Sequence, residues 1–110
     1  MLKDRMIRVK LKKSFKEQRP ISYIGKCTAF SDYWVVMEGR ALMVARSQPN
    51  HVQVDKDRSA VLVPRDNIES IQVLPDGFDI KKIEIVTEGQ QLHVRVEGAA
   101  DTYIGEIGEG

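Results

Sequence analysis

Ile24-Gly25-Lys26-Cys27-Thr28-Ala29-Phe30-Ser31-Asp32-Tyr33-Trp34-Val35-Val36-Met37 is the stretch that decides the fold. It completes a strand pattern that begins at Ile21. Gly25 lies inside that pattern, at a point where a bend or bulge leaves no room for a side chain. Ser31-Asp32 has the composition of a tight turn. Tyr33, Trp34, Val35 and Val36 are strong strand formers, and Met37 extends the run. The stretch therefore reads as two strands joined by a short turn, the first of them bent.

The same alternation extends outward in both directions. Towards the N-terminus, Ile7, Val9 and Leu11 alternate with Arg8, Lys10 and Lys12. Period two predicts a half-buried strand with a basic outer face. Ser14 to Pro20 is polar and ends in proline, so it predicts a loop. Towards the C-terminus, Glu38-Gly39 suggests a bulge, after which Ala41 to Ala45 continue the strand. Ser47 to Ser59 is polar and predicts a loop or a loosely formed hairpin. Ala60 to Val63 is a short apolar strand, Pro64 to Asn67 a sharp turn, and Ile68 to Leu74 a further strand stopped by Pro75-Asp76-Gly77. Ile83 and Ile85, then Leu92, Val94 and Val96, alternate with polar residues on either side of Glu88-Gly89, which predicts a hairpin. Little apolar content follows, so residues 99–110 are expected to be loose.

Five short strands, one bent at a glycine, suggest a small barrel. Two segments carry a resemblance to the Sm-like (LSm) family. The quoted stretch resembles the family's first motif: Gly25 matches the bend glycine, Phe30 the apolar residue before the turn, and Tyr33 a turn aromatic. Val63-Pro64-Arg65-Asp66-Asn67-Ile68 resembles the second motif, through Val63, Asn67 and Ile68. The resemblance covers residues 6–75 and leaves the later hairpin outside it. It implies an all-β protein: a small, strongly bent five-stranded Sm-like barrel over residues 1–75. A C-terminal hairpin over 76–98 would pack on the barrel or on a neighbour. It also implies a homo-oligomeric ring assembled through strand edges, with single-stranded RNA as the possible ligand at its inner rim.

The residues shift that implication in places. The uridine pocket of the family uses an Asn in the first motif, where this chain has Val35, and an Arg-Gly pair in the second, where it has Pro64-Arg65. No strong uridine preference is expected. The base-stacking aromatic of the bacterial Sm-like RNA chaperones falls on Tyr33, their inner-rim lysine on Arg65, and their histidine on Asp66, which repels phosphate. An aromatic face beside a basic group is how sequence-tolerant single-strand binders work. Adjacent strand residues point to opposite faces, so at most one of Tyr33 and Trp34 is expected to be free. Tyr33 and Arg65 are thus the candidate nucleic-acid contacts, with Arg8, Lys10 and Lys12 as a weaker, non-specific share.

Charge distribution bears on that share. Residues 1–20 hold eight basic side chains against two acidic, a net +6, and the other 90 hold nine against fourteen, a net −5. A basic first strand is either an anion-binding edge or a solubilising edge strand. The chain's 110 residues suit one domain with one modest core. Its lone cysteine, Cys27, excludes an intrachain disulfide and fits a reducing, cytoplasmic setting. No signal-peptide core precedes the first strand, and no apolar run approaches the ~20 residues that span a bilayer. His51 and His93 lack metal-ligand spacing, Asp55 and Asp57 sit in a polar stretch, and no nucleophile or phosphate-loop motif is present. No enzymatic activity, cofactor or metal is therefore expected. Two readings remain: an Sm-like module that binds RNA, and a structural scaffold built on the same ring without a nucleic-acid ligand.

Overall fold

The alternation of Ile7, Val9 and Leu11 with basic residues does form a strand, β1 (Met6–Leu11). The computed structural model describes residues 1–109. Eight further strands follow: β2 (Ile21–Phe30), β3 (Trp34–Val44), β4 (Val52–Val54), β5 (Ser59–Pro64), β6 (Ile68–Val73), β7 (Ile85–Glu88), β8 (Gln91–Val94) and β9 (Thr102–Glu106). Single 3₁₀ turns sit at Pro49–His51 and Arg65–Asn67. The fold is all-β, and every strand pairing is antiparallel. The larger sheet has the order β4-β3-β2-β1-β6, with β5 also on β3; the smaller is β7-β8-β9. No helix among the described residues is long and apolar enough to cross a membrane.

The larger sheet is not a closed barrel. Strand β6 forms one edge, β5 and β4 share the other along β3, and β5 and β6 do not pair with each other. They are nevertheless joined by only three residues, Arg65–Asn67. In a flat sheet four strand spacings would separate them, about 19 Å. The connection from Pro64 to Ile68 reaches at most about 14 Å. The sheet must therefore curl until its edges approach. The side chains inside the curl form a core of Ile7, Val9, Cys27, Val35, Met37 and Val63, with Ile68 and Ile71 of β6 packed against it.

The curl depends on one backbone contact. Gly25 of β2 pairs with Gly39 of β3. A Cβ on Gly25 would run into the Glu38 carbonyl oxygen and lie 2.5 Å from the Gly39 Cα. The expected bulge at Glu38-Gly39 is absent. The register shift falls in β2 instead, between Cys27 and Ala29, and the Thr28 hydroxyl there donates to the Val36 carbonyl at 3.2 Å. Close approach of two glycines lets β3 bend without an inserted residue.

The convex face of the sheet carries a second core. Ile24, Leu42, Val44, Val52 and Leu74 meet Leu92, Val94, Val96 and Ile104 of the small sheet. One expectation is corrected here. Residues 99–110 are not a loose tail: Thr102 and Ile104 are buried and β9 completes the small sheet, while the last expected tail residue, Gly110, lies outside the described residues. Of the two alternatives for the polar stretch 47–59, a loop or a loosely formed hairpin, the structure has the hairpin, because Val52–Val54 pair antiparallel with Leu42–Val44. Gly105 (φ +153°) allows β9 to lie close, since a Cβ there would sit 2.9 Å from the Val44 side chain.

The basic face of β1 is corrected too. Arg8 and Lys10 are each only 5% exposed. Arg8 donates from Nε to the Thr102 hydroxyl (3.1 Å) and from Nη1 to the Ser70 hydroxyl (2.8 Å), and Nη2 lies 3.4 Å from Gln72 Oε1. The Thr102 hydroxyl in turn donates to Gln72 Oε1 at 2.6 Å. Lys10 pairs with Glu69 at 2.9 Å. Burial pushes the Arg8 guanidinium below its ordinary value, and the charge of Glu69 opposes that shift. A buried cation is tolerated because each of its three nitrogens finds an acceptor.

Gly25→Ala is expected to destabilise the fold by about 1–3 kcal/mol, the usual cost of overpacking. Thermal unfolding checks it: an unchanged melting temperature would show that the Gly25–Gly39 contact can relax freely.

Candidate nucleic-acid interface

The 3₁₀ turn that ties β5 to β6 is also the hub of the candidate site. Pro64 presets the backbone entering it, and Arg65 then meets the β2–β3 turn. The Arg65 amide donates to the Tyr33 carbonyl at 2.9 Å. Its Nη1 donates to the Ser31 carbonyl at 2.9 Å, and its guanidinium carbon stands 4.7 Å from the centre of the Phe30 ring. Among the described residues Arg65 has no carboxylate, Asp66 included, within 4.0 Å. The β2–β3 turn is itself fixed: the Ser31 amide donates to the Trp34 carbonyl at 2.9 Å, and the Trp34 amide donates to the Ser31 hydroxyl at 3.2 Å. Cation, arene and turn hold one another in place before any ligand arrives.

Aromatic surface surrounds this junction. Tyr33 is 77% exposed, Trp34 42% and Phe30 39%. Neither Tyr33 nor Trp34 is a core residue, contrary to the alternation argument, because both lie where β3 leaves the turn and passes the edge of the inner core. Trp34 faces Pro64 across the β3–β5 ladder, and Val36 faces Leu62. These residues lie on the part of the convex face next to β5, and Leu62 there is 56% exposed.

The other side of the 3₁₀ turn faces the end of β1. The Lys12 amide donates to the Asn67 carbonyl at 2.7 Å. A cleft of about 270 Å³ opens between Lys12, Lys13, Ser14, Gln18 and the Asp66-Asn67 pair. The fold thus brings Tyr33 and Arg65 into contact and places Lys12 beside the same turn. Arg8 and Lys10 lie under β9, engaged with Thr102 and Glu69. Sequence reasoning missed Phe30 as the ring beneath Arg65, having read it only as the apolar residue before the turn. It also missed the C-terminal partners of the basic strand, whose signal was the strand-forming run Thr102-Tyr103-Ile104.

Cys27 and His93 do not build a second site among the described residues. Cys27 is fully buried in the inner core, and burial pushes its thiol up. The His93 ring meets Tyr103 edge-on at 5.7 Å, and its Nε2 lies 3.0 Å from Gln91 Oε1. No family model matches this chain, and no curated protein or solved structure matches it either.

Lys13, on the wall of the cleft, pairs with Glu109 at 3.1 Å and so ties the C-terminal end of the chain to β1. Burial alone would raise the Glu109 carboxyl, but hydrogen bonds from Lys13 and the Glu106 amide, with the charge of Lys10, hold it below its ordinary value. A carboxylate with a depressed folded value stabilises fully above its unfolded pKa, and that contribution fades as pH falls through the folded value. Glu109→Gln is expected to melt lower than the parent at pH 7, with the gap closing below pH 4.5. Melting curves across pH check it, and a gap that persists at pH 3 would refute the ion-pair account.

Proposed function

We propose that this chain is an Sm-like, ring-forming module of the cytoplasm that binds single-stranded RNA where Tyr33 and Arg65 meet. One observation carries the RNA reading: Tyr33, 77% exposed, accepts the Arg65 amide through its carbonyl, while the Arg65 guanidinium is already fixed by Ser31 and Phe30. Little ordering is left for the ligand to impose, so stacking on Tyr33 and a phosphate contact from Arg65 translate efficiently into affinity.

The assembly reading is supported by the edges. β5 and β6 each have six residues and each pairs on one side only. Exposed edges are normally blunted by charge, yet Ser59-Ala60-Val61-Leu62-Val63-Pro64 contains no charged residue. Leu62 on one edge strand and Val73 on the other are 56% and 43% exposed. Antiparallel pairing of β5 with β6 of the next copy is a heterologous contact, which closes into a ring when its rotation permits. The strand order β6-β1-β2-β3-β5 and the three-residue β5–β6 turn are consistent with the Sm-like resemblance. The apolar edges also favour the second reading, a scaffold that assembles without nucleic acid.

Two measurements test these proposals. Light scattering is expected to give a homo-oligomer at micromolar concentration, shifted towards monomer by Leu62→Lys; a strictly monomeric parent would refute edge assembly. Titration with single-stranded RNA is expected to show Tyr33→Ala weakening binding by about 1–3 kcal/mol. Arg65→Ala should lower the slope of log K against log salt by about 1. A parent that binds no RNA at low salt leaves the scaffold reading in its place.

A further inference from the structure

The β1–β2 loop, residues 12–20, lies on the far side of the same 3₁₀ turn and presents an exposed aromatic among cations. Phe15 is 61% exposed. The loop backbone around it is held in place: the Ser14 amide donates to Gln18 Oε1 at 2.5 Å, and the Gln18 amide donates to the Phe15 carbonyl at 3.1 Å. Lys12, Lys16 and Arg19 are exposed around it against a single acid, Glu17. Among the described residues none of the three has a carboxylate within 4.0 Å. Lys13, by contrast, is neutralised by Glu109. A loop that leaves a phenylalanine in water and three cations unpaired, while spending hydrogen bonds to fix its own shape, is shaped for an anionic ligand with flat apolar groups.

We infer that this loop is a second subsite for single-stranded nucleic acid, in which Phe15 stacks a base and Lys12 and Lys16 meet the phosphates on either side of it. The inference rests on the RNA reading above and extends it: the strand continues from Tyr33 and Arg65 across the 3₁₀ turn to the loop. The turn makes the two subsites continuous, since its first residue contacts Tyr33 and its last accepts the Lys12 amide. The cleft between turn and loop is lined by Lys12, Ser14 and Gln18 of the loop and by Asp66 and Asn67 of the turn, with Leu11 also on its wall. Asp66 repels phosphate from the wall beside the turn and directs the backbone towards Lys12 and Lys16. Stacking on Phe15 is indifferent to base identity because every base has a π-face, so the subsite adds length dependence rather than sequence preference.

The test is a titration of the full chain with labelled oligo(A) of about 5 and about 15 nucleotides, the range over which such sites extend. Phe15→Ala and Lys12→Gln are compared with Tyr33→Ala, Arg65→Ala and the parent, with melting curves showing that each variant folds. Phe15→Ala is expected to weaken the longer strand roughly five- to a hundredfold while barely changing the shorter one. Lys12→Gln is expected to lower the salt slope for the longer strand by about 1. If Tyr33→Ala and Arg65→Ala weaken binding but Phe15→Ala and Lys12→Gln bind the longer strand as tightly as the parent, the subsite is refuted and the Tyr33–Arg65 site stands. If the parent binds neither strand at low salt, the Tyr33–Arg65 reading falls and the subsite with it. Phosphatidylserine vesicles are the counter-probe. If they bind the parent through Phe15 while RNA binding ignores it, the loop is a membrane contact and the inference is overturned.

Discussion

Strands β5 and β6 lie at opposite edges of one sheet, yet a three-residue turn is all the chain between them. Everything else about the larger sheet follows from that mismatch of lengths. The sheet has to curl, the curl has to be sharpest where β2 crosses β3, and there the backbones approach until only hydrogen fits on Gly25. The inner core is the filling of that curl. The candidate interface is a by-product of it, because the turn that draws the edges together also carries Arg65 on one side and Asn67 on the other. A shorter path between strand edges and a place to fix an arginine against an arene are thus one structural element.

The outer face answers a different problem. A curled sheet still has a convex side, and on β6, β1 and β2 that side is partly polar: Ser70, Gln72, Arg8, Lys10 and Ser22. The small C-terminal sheet covers it. Removing an arginine from water is expensive, and nothing about its net stabilisation follows from its burial. What does follow is orientation: Ser70 and Gln72 of β6 hold two of the guanidinium nitrogens, and Thr102 of β9 meets the third, so the buried polar cluster is where the two sheets are joined by hydrogen bonds. The same cluster explains why a net charge of +6 over the first 20 residues does not produce a uniformly basic surface. Part of that charge is internal, part is paired with Glu109, and the exposed remainder is concentrated at the loop after β1.

How much of this was legible in the sequence varies by element. The strands β1, β2, β3, β5 and β6 and the β7–β8 hairpin were legible because period-two alternation and turn residues are local signals. The bend at Gly25 was legible because glycine in a strand has few other uses. Gly39, its partner, was read as part of a bulge, since pairing across strands cannot be seen in one strand. Strand β4 was hidden by Pro49 and Asn50, and it forms because β3 is long enough to offer a second stretch of edge. Strand β9 was hidden by the glycines around it, and Gly105 is there because Val44 leaves no room for a side chain. Arg8 and Lys10 were read as solvated because alternation says which residues share a face and not what covers that face. At the interface, Tyr33 and Arg65 were named from a motif, while Phe30 was a ring whose cation came from 35 residues further along the chain.

The docking of β9 on β1 has a temporal consequence. The contacts Arg8–Thr102 and Lys13–Glu109 span 94 and 96 residues of chain, the widest hydrogen-bonded separations among the described residues. On a ribosome β1 is made early and its cover late. From the time β6 is made until β9 follows it, the nascent chain can curl its larger sheet but cannot seal the convex side, and the apolar residues there, Ile24, Leu42, Val44 and Leu74, wait in water together with unpaired edges at β5 and β6. A protein with so non-local a closure folds slowly and is most vulnerable to aggregation in that interval. The charges spaced along β1 do double duty on this view: they become an internal polar cluster in the finished molecule, and before that they keep an incomplete sheet apart from its neighbours.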